Sequence, residues 1–540
     1  MLFGLIFAVA AIRTEVPLYH WRFRDADTQS PVWEKTLAML DRHPGAIDAV
    51  WFSTGIGIPS LDWHREQAKS LSRAADDLRR RGIEPSLQIQ ATIGHSDSAC
   101  AKGPASVKKW GGWTGPDGTE CELCSCPRQP EFRAYWESVA RIYAEFHPPR
   151  IWIDDDLRPY GHAPASPWSA SFSAATMGCW CSLCLGEFNR EAGGAWTRET
   201  LREALGKSAD LQAKWERFQF ESIAGLAFAI AKSVHGVSPE TEMGLQQCRH
   251  WDDNQRIVYE AMARATGKGV CARPGGGAYF DYSPIDQIEK AYSVCEQMRM
   301  LATLPNLSVA CPEIESFPRV FNSRTGQGVL LEALEAIPMG VNALSLLVAN
   351  TRLEDVSFYE RTYMDKLARN REFFLKLIAA CRGAVPSGLV AEPDLYQKNQ
   401  WAMTLGIPLV RGRCHELGRI ELAKEDVPRL SSSDLLALYR RADELSGGRL
   451  PAIPCEPVSG WLLPVQHEDG RLACAVFVNT RIDTSFPFRL RVRGVPPGTT
   501  RATWRALGGE ERDVPILREK DGAFVTVPSV SVWNGGYLVF

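Results

Sequence analysis

The segment Arg150–Asp156, RIWIDDD, decides how the rest of the chain is read. A short apolar run ends in three adjacent carboxylates. Like charges this close repel, and burying them is costly unless each is paired or put to use. One reading is a solvated turn, with Arg158 two residues on as the neutralising partner. The other is a catalytic rim. The flanking sequence favours the rim. Short apolar runs recur at 16–21, 46–54, 84–92, 150–156, 242–248, 269–275, 307–315 and 341–349. Between them lie amphipathic stretches at 31–42, 65–81, 130–146, 211–234, 253–266, 284–303, 327–337 and 358–380. Their apolar residues return every three to four positions, as in FRAYWESVARIYAEF. Eight successive β-then-α units predict a (β/α)8 TIM barrel over 15–384. A doubly wound open sheet is the competing arrangement, but eight evenly spaced units favour closure. Active sites of such barrels lie at the C-terminal ends of the strands. Asp154, Asp155 and Asp156 close the fourth strand, and Glu313 and Glu315 close the seventh.

The remaining sequence sets the context. With 540 residues, 45% hydrophobic and 23% charged, the chain has an ordinary globular composition and room for several domains. A net charge of −3 gives no reason to expect nucleic acid or anionic lipid as a partner. Residues 1–14 are mostly apolar but too short to span a bilayer. They resemble the core of an export signal without its basic start, so a cytoplasmic or an exported protein fits. Residues 385–455 read as a small α/β domain. From 456 to 540, short alternating runs separated by Gly- and Pro-rich turns predict a C-terminal β-sandwich.

Glycosidic bond cleavage generally needs two carboxyl groups flanking one bond. The fourth and seventh strands supply carboxyl groups from opposite walls. Alternation along a strand points Glu313 and Glu315 the same way, with Glu315 nearer the mouth. Other rim candidates are Trp21 and Arg22 after the first strand, His250 and Trp251 after the fifth, and Asp281 and Tyr282 after the sixth. Aromatic faces suit sugar C–H surfaces, and polar groups read hydroxyls. Fifteen cysteines include two tight clusters, CELCSC at 121–126 and CWCSLC at 179–184. Such spacing suits a metal better than a dispersed disulfide framework, although pairing in an exported protein and free thiols are alternatives.

These motifs resemble the clan A glycoside hydrolases, and the family 42 β-galactosidases in particular. That family carries IDNE at the end of the fourth strand, where this chain has IDDD. The resemblance places Asp155 on the Asn that contacts the sugar 2-hydroxyl and Asp156 on the acid/base. Asp replaces the family's residue at both positions. The family's EQxP nucleophile motif falls on ESFP, which puts Glu315 on the nucleophile and Asn322 near a sugar-binding Asn. The alternative nucleophile is Glu313. The C-x-C-x2-C of the family matches Cys179, Cys181 and Cys184, three of four ligands of a structural zinc. The fourth ligand is expected among Cys121, Cys124 and Cys126, with Cys126 taken as the candidate. A closed four-Cys site leaves the metal no catalytic role.

The resemblance also implies a trimer-forming role for 385–455, hence a homo-oligomer. It implies a retaining, exo-acting hydrolase of β-linked sugars working by double displacement on an oligosaccharide or glycoside. A non-catalytic carbohydrate-binding barrel and a metal-dependent hydrolase are the competing functions. No nucleic acid or membrane partner is expected.

Overall fold

A computed structural model describes residues 16–95, 101–162, 176–247, 253–392, 400–422 and 430–540. The barrel strands are Tyr19–Arg24, Ala49–Ser53, Glu84–Ile89, Arg150–Ile153, Glu242–Gln246, Val270–Arg273, a seventh in two pieces (Leu307–Ala310 and Glu313–Glu315), and Leu344–Leu347. The first strand starts past the expected Val16. Pro17 has no N–H to give a ladder, and the Asp48 carboxylate takes the N–H groups of Leu18 and Tyr19 instead. Parallel pairing runs from the first strand round to the sixth and on to Leu307–Ala310. Glu313–Glu315 pairs with the eighth strand, and the eighth with the first. The two short pieces are one barrel strand, interrupted at Cys311 and at Pro312, which lacks a donor. The barrel is therefore closed, as the eight-unit pattern predicts.

Strand alternation sorts the interior into two zones. The lower zone is apolar: Trp51, Trp152, Cys271, Val309, Cys311 and Ala343 form a buried plug. Trp51 stacks on Trp152 with ring centroids 4.0 Å apart. Gly244 makes room for this pair, since a Cβ there would lie 2.4 Å from the Trp152 ring. One step further along each strand the interior turns polar, with Arg22, Ser53, Gln88, Asp154, Gln246, Arg273 and Glu313 all buried. Apolar filling below and ionisable groups above place any chemistry at the C-terminal mouth.

The surrounding helices follow the amphipathic pattern. Helix Pro130–Ala144 begins with Pro in its first turn and buries Phe132, Tyr135, Trp136, Val139 and Tyr143. Trp136 Nε1 donates to the Thr92 carbonyl at 3.0 Å, which pins the loop after the third strand. Helix Leu61–Arg79 is capped by the Ser60 hydroxyl, worth about 1 kcal/mol. Three elements were not anticipated: a hairpin, Gly112–Thr114 with Glu120–Ser125, and helices Ser182–Ala192 and Arg198–Leu205. Among the described residues, no helix is long and apolar enough to cross a membrane.

Beyond the barrel, two sheets face each other across a shared core that includes Leu462, Phe477, Trp504 and Leu538 on one side and Leu490, Val525 and Val527 on the other. This is the expected sandwich. Its larger sheet has seven strands and extends past the sandwich: His415–Glu421 pairs with Ala384–Glu392, which pairs with Trp461–His467. One sheet thus takes strands from both sides of residue 455. Helix Ser432–Leu445 completes the α/β portion.

Candidate active site

The Asp triplet splits by the phase of its strand. Trp152 points inward, so Asp154 does too. Its Oδ1 accepts from Gln88 Nε2 at 3.0 Å, and its Oδ2 lies 3.0 Å from His95 Nε2. Burial alone would raise the Asp154 pKa. The hydrogen bond and charge of His95, aided by Arg22 and Arg273, outweigh it and hold this carboxyl below the usual carboxylate range. The same pairing overcomes burial at His95 and lifts it to about 9, so it is an imidazolium at neutral pH.

Asp155 reaches the mouth. Its side chain is 20% exposed, 3.1 Å from Arg158 Nη1 and 3.9 Å from Arg273 Nη2. Asp156, matched to the acid/base by resemblance, does not reach it. It is 0% exposed, with Oδ1 accepting from the Thr92 hydroxyl at 3.0 Å and Oδ2 from the Gly94 N–H at 2.7 Å. Gly94 has φ +115, a conformation favouring glycine, and so presents its N–H to the carboxylate. Burial raises Asp156 to about 6; His95 opposes this and the Asp154 charge adds to it. Asp156 is thus a tie between the loops after the third and fourth strands. We expect Asp156→Asn to keep the fold and turn over substrate within about 3-fold of the parent, since its one amide oxygen can take the place of Oδ2 and accept from Gly94 while the Thr92 hydroxyl turns to accept from the amide N–H. Asp156→Ala orphans two buried donors and should cost about 2–4 kcal/mol, read by thermal melting. An Asn variant that melts normally but is inert would return Asp156 to the chemistry.

Across the mouth, Glu313 is held tightly. Its Oε1 lies 2.5 Å from Arg273 Nη1 and 3.7 Å from Arg22 Nη1, and its Oε2 accepts from the Tyr279 hydroxyl at 3.1 Å. Arg273 touches both Asp155 and Glu313. One planar guanidinium spans the gap, keeping those carboxylates within about 9 Å of each other. Glu315, 14% exposed, sits nearer the opening, with Arg319 Nη1 at 2.9 Å and Arg22 Nη1 at 3.9 Å. Burial pushes Glu315 up to about 7; the Glu313 charge adds to this, while Arg22, Arg319 and Arg273 oppose it. Arg22 Nε also donates to Gln88 at 2.9 Å, which joins the first, third and fourth strands.

The other candidates divide. Arg22 is central. Trp21, its neighbour, faces outward by alternation and is fully buried against Phe23 and Tyr363 at 5.7 and 6.2 Å, so it cannot touch substrate. The Asp281 carboxylate accepts the Thr325 N–H and lies 3.5 Å from Arg324 Nε, fastening the start of helix Gly326–Ala336, and it borders the same cavity as Tyr282 and Asn322. Tyr282 is 74% exposed and stacks on Phe280 with centroids 5.0 Å apart. With Asn322 and Phe321 it lines a cavity of about 500 Å³. His250 and Trp251 lie outside the described residues. Sequence reading gave no role to Gln88, Arg273 or Arg319. Strand phase could have found the first two, each placed two residues beyond an inward-facing Ser86 or Cys271.

His95, Asp154 and Asp155 offer atoms within 4.8 Å of one another, a grouping a cation could bridge. However, His95 is already bonded to Asp154, and Arg158 and Arg273 flank Asp155, so the negative charge is spoken for. Elsewhere, Cys126, Cys179, Cys181 and Cys184 converge with all four sulfurs within 4.8 Å. Cys126 Sγ lies 3.4 Å from Cys184 Sγ and 3.7 Å from Cys181 Sγ. Cys121 instead donates to the His162 carbonyl.

No family model and no curated protein matches the sequence. Among solved structures, the chain is similar to a catalytic mutant of Gan42B, a GH42 β-galactosidase from G. stearothermophilus. Identity is 9%, the TM-score is 0.56, and 98% of each chain is covered. It is also similar to α-L-fucosidase isoenzyme 2 from Paenibacillus thiaminolyticus, at 10% identity and TM-score 0.55, covering 94% of this chain and 96% of that one. A β-galactosidase from the psychrophilic Marinomonas ef1 gives 9% identity and TM-score 0.52, covering 97% and 100%. At these identities the likeness defines a fold class: a TIM barrel continued by a β-rich C-terminal region. That arrangement is shared by the β-galactosidases and the α-L-fucosidase alike.

Proposed function

We propose that the chain is a glycoside hydrolase whose chemistry lies between the fourth and seventh barrel strands. The observation that carries this reading is the convergence of Asp155, Glu313 and Glu315 on one mouth, where Arg273 links Asp155 to Glu313 and Arg22 links Glu313 to Glu315. Glu315 is the nucleophile. It is the more open of the strand-seven pair, and only Arg319 engages it closely. Asp155, on the facing wall, is the proton donor, and it must leave Arg158 and take up a proton before it can serve. In the first step a Glu315 oxygen bonds to the anomeric carbon while the C–O bond to the leaving group breaks, and Asp155 gives its proton to the departing oxygen. In the second, Asp155 takes a proton from water, whose oxygen displaces Glu315. Glu313 holds Arg22 and Arg273 in place. The retaining course, the β-linkage and exo action come from the likeness to β-galactosidase folds.

A pH profile of kcat/KM on aryl β-glycosides tests this assignment. Glu315 must be ionised to attack, and its carboxyl is held up to about 7. Activity should therefore fall as pH drops below about 7. The Glu313 charge disfavours ionisation of Glu315, so Glu313→Gln should move that limb to lower pH. A limb that stays in place would remove Glu315 from the role.

The cysteine cluster fits a zinc ion. A tetrahedral site with Zn–S bonds of about 2.3 Å has sulfur–sulfur edges of about 3.8 Å, close to the observed separations. Four thiolates leave no open position. Zinc here would join the segment before helix Pro130–Ala144 to helix Ser182–Ala192 and take no part in the reaction.

A further inference from the structure

Among the described residues, two guanidinium nitrogens beside Glu315 lack hydrogen-bond acceptors. The first strand carries Arg22 and Arg24 on one face. Arg319 comes from the loop after the seventh strand. Its φ of +74 is uncommon for a residue with a side chain and persists only where the surroundings hold it. The Arg319 guanidinium is 3% exposed, and its Nε has no hydrogen-bond partner among the described residues. Arg22 Nη1 has none either; its nearest carboxylate oxygens stand at 3.7 and 3.9 Å. Burial and the nearby Arg24 charge both press Arg319 toward losing its proton, with Glu315 opposing. Glu313, by contrast, is already matched by Arg273 and Tyr279. Buried guanidinium N–H groups without acceptors are costly. A second anion beside Glu315 would complete them.

We propose that the sugar taken up here carries an anionic group, a carboxylate or a sulfate, which lies against Arg319 and Arg22 next to Glu315. Both groups present paired oxygens that match the guanidinium fork. As a statement about substrate the inference rests on the hydrolase reading, but the site itself is a binding claim and is tested as one.

The experiment is calorimetric titration of the intact protein with galactose, glucuronate, galacturonate and galactose 6-sulfate, none of which requires turnover. At least one anionic sugar should bind ~10-fold or more tightly than galactose, and less tightly as salt is raised. A preference for the uronates identifies a carboxylate, and a preference for the sulfated sugar identifies a sulfate. Arg319→Gln should abolish the preference. If that variant fails to fold, Arg24→Gln should weaken the preference by roughly 3-fold. Equal binding of neutral and anionic sugars overturns the proposal, as does a preference that survives substitution in a folded variant. Anion-selective binding with no turnover of any aryl glycoside would defeat the hydrolase reading alone. Turnover of neutral glycosides without anion selectivity would defeat this inference alone.

Discussion

Glu315→Gln should lower kcat on an activated aryl glycoside by at least ~10³-fold while the protein still melts within a few degrees of the parent. The side chain keeps its shape, and its amide oxygen still accepts from Arg319. What disappears is the negative oxygen that bonds to the anomeric carbon. Removing the side chain altogether, as Glu315→Ala, should allow azide to enter the vacated face and yield a glycosyl azide of inverted configuration. Together with net retention by the parent, this product identifies Glu315 as the group that attacks the anomeric carbon. Glu313→Ala should behave differently. It strips a buried partner from Arg273 and Arg22, so activity and stability should fall together, the latter by about 3–5 kcal/mol. A Glu315→Gln protein with full activity would end the double-displacement assignment.

The second large effect concerns the cysteine cluster. We expect one zinc per chain by atomic absorption, and strong chelation should unfold the barrel's loop region or the whole protein. Structural zinc sites of this donor type contribute about 10–16 kcal/mol of apparent binding free energy at neutral pH. Loss of the ion should lower the melting temperature by more than about 10 °C, larger than any single side-chain change above. Cys181→Ser, at the least buried of the four positions, should lose the metal and melt early. A metal-free protein that melts unchanged, or disulfides among these cysteines in intact-mass measurements, would refute the assignment.

The barrel was legible because its signal is repeated. Eight apolar runs alternating with eight amphipathic stretches leave few topologies open, and the observed strands and helices fall on them. The cluster of Cys179, Cys181 and Cys184 was legible because thiols at short spacing have few other uses, but only the structure singles out Cys126 from the three upstream candidates. The site was harder to read, since it depends on phase. RIWIDDD does not say which carboxylate faces the mouth: Asp154 follows the strand's alternation, while the chain turns beyond Ile153 and carries Asp156 under the neighbouring loop. Trp21 and Arg22 were chosen together, although adjacent strand positions cannot share a face. Arg273 went unnoticed because a lone Arg at a strand end looks like a solvated terminus. Only the closed barrel brings it against Asp155 and Glu313.

The seven-stranded sheet that crosses residue 455 limits how this protein can be taken apart. Ala384–Glu392 leaves the last barrel helix and lies directly against Trp461–His467. Separating the two strands would bare the short ladder at 384–386 and 465–467, an open border along which chains can adhere to one another. Neither the barrel half nor the tail is therefore a portable module. Trimming or grafting should respect the ends of the whole lamina, and a protease nick at 455 should leave two fragments that stay clasped.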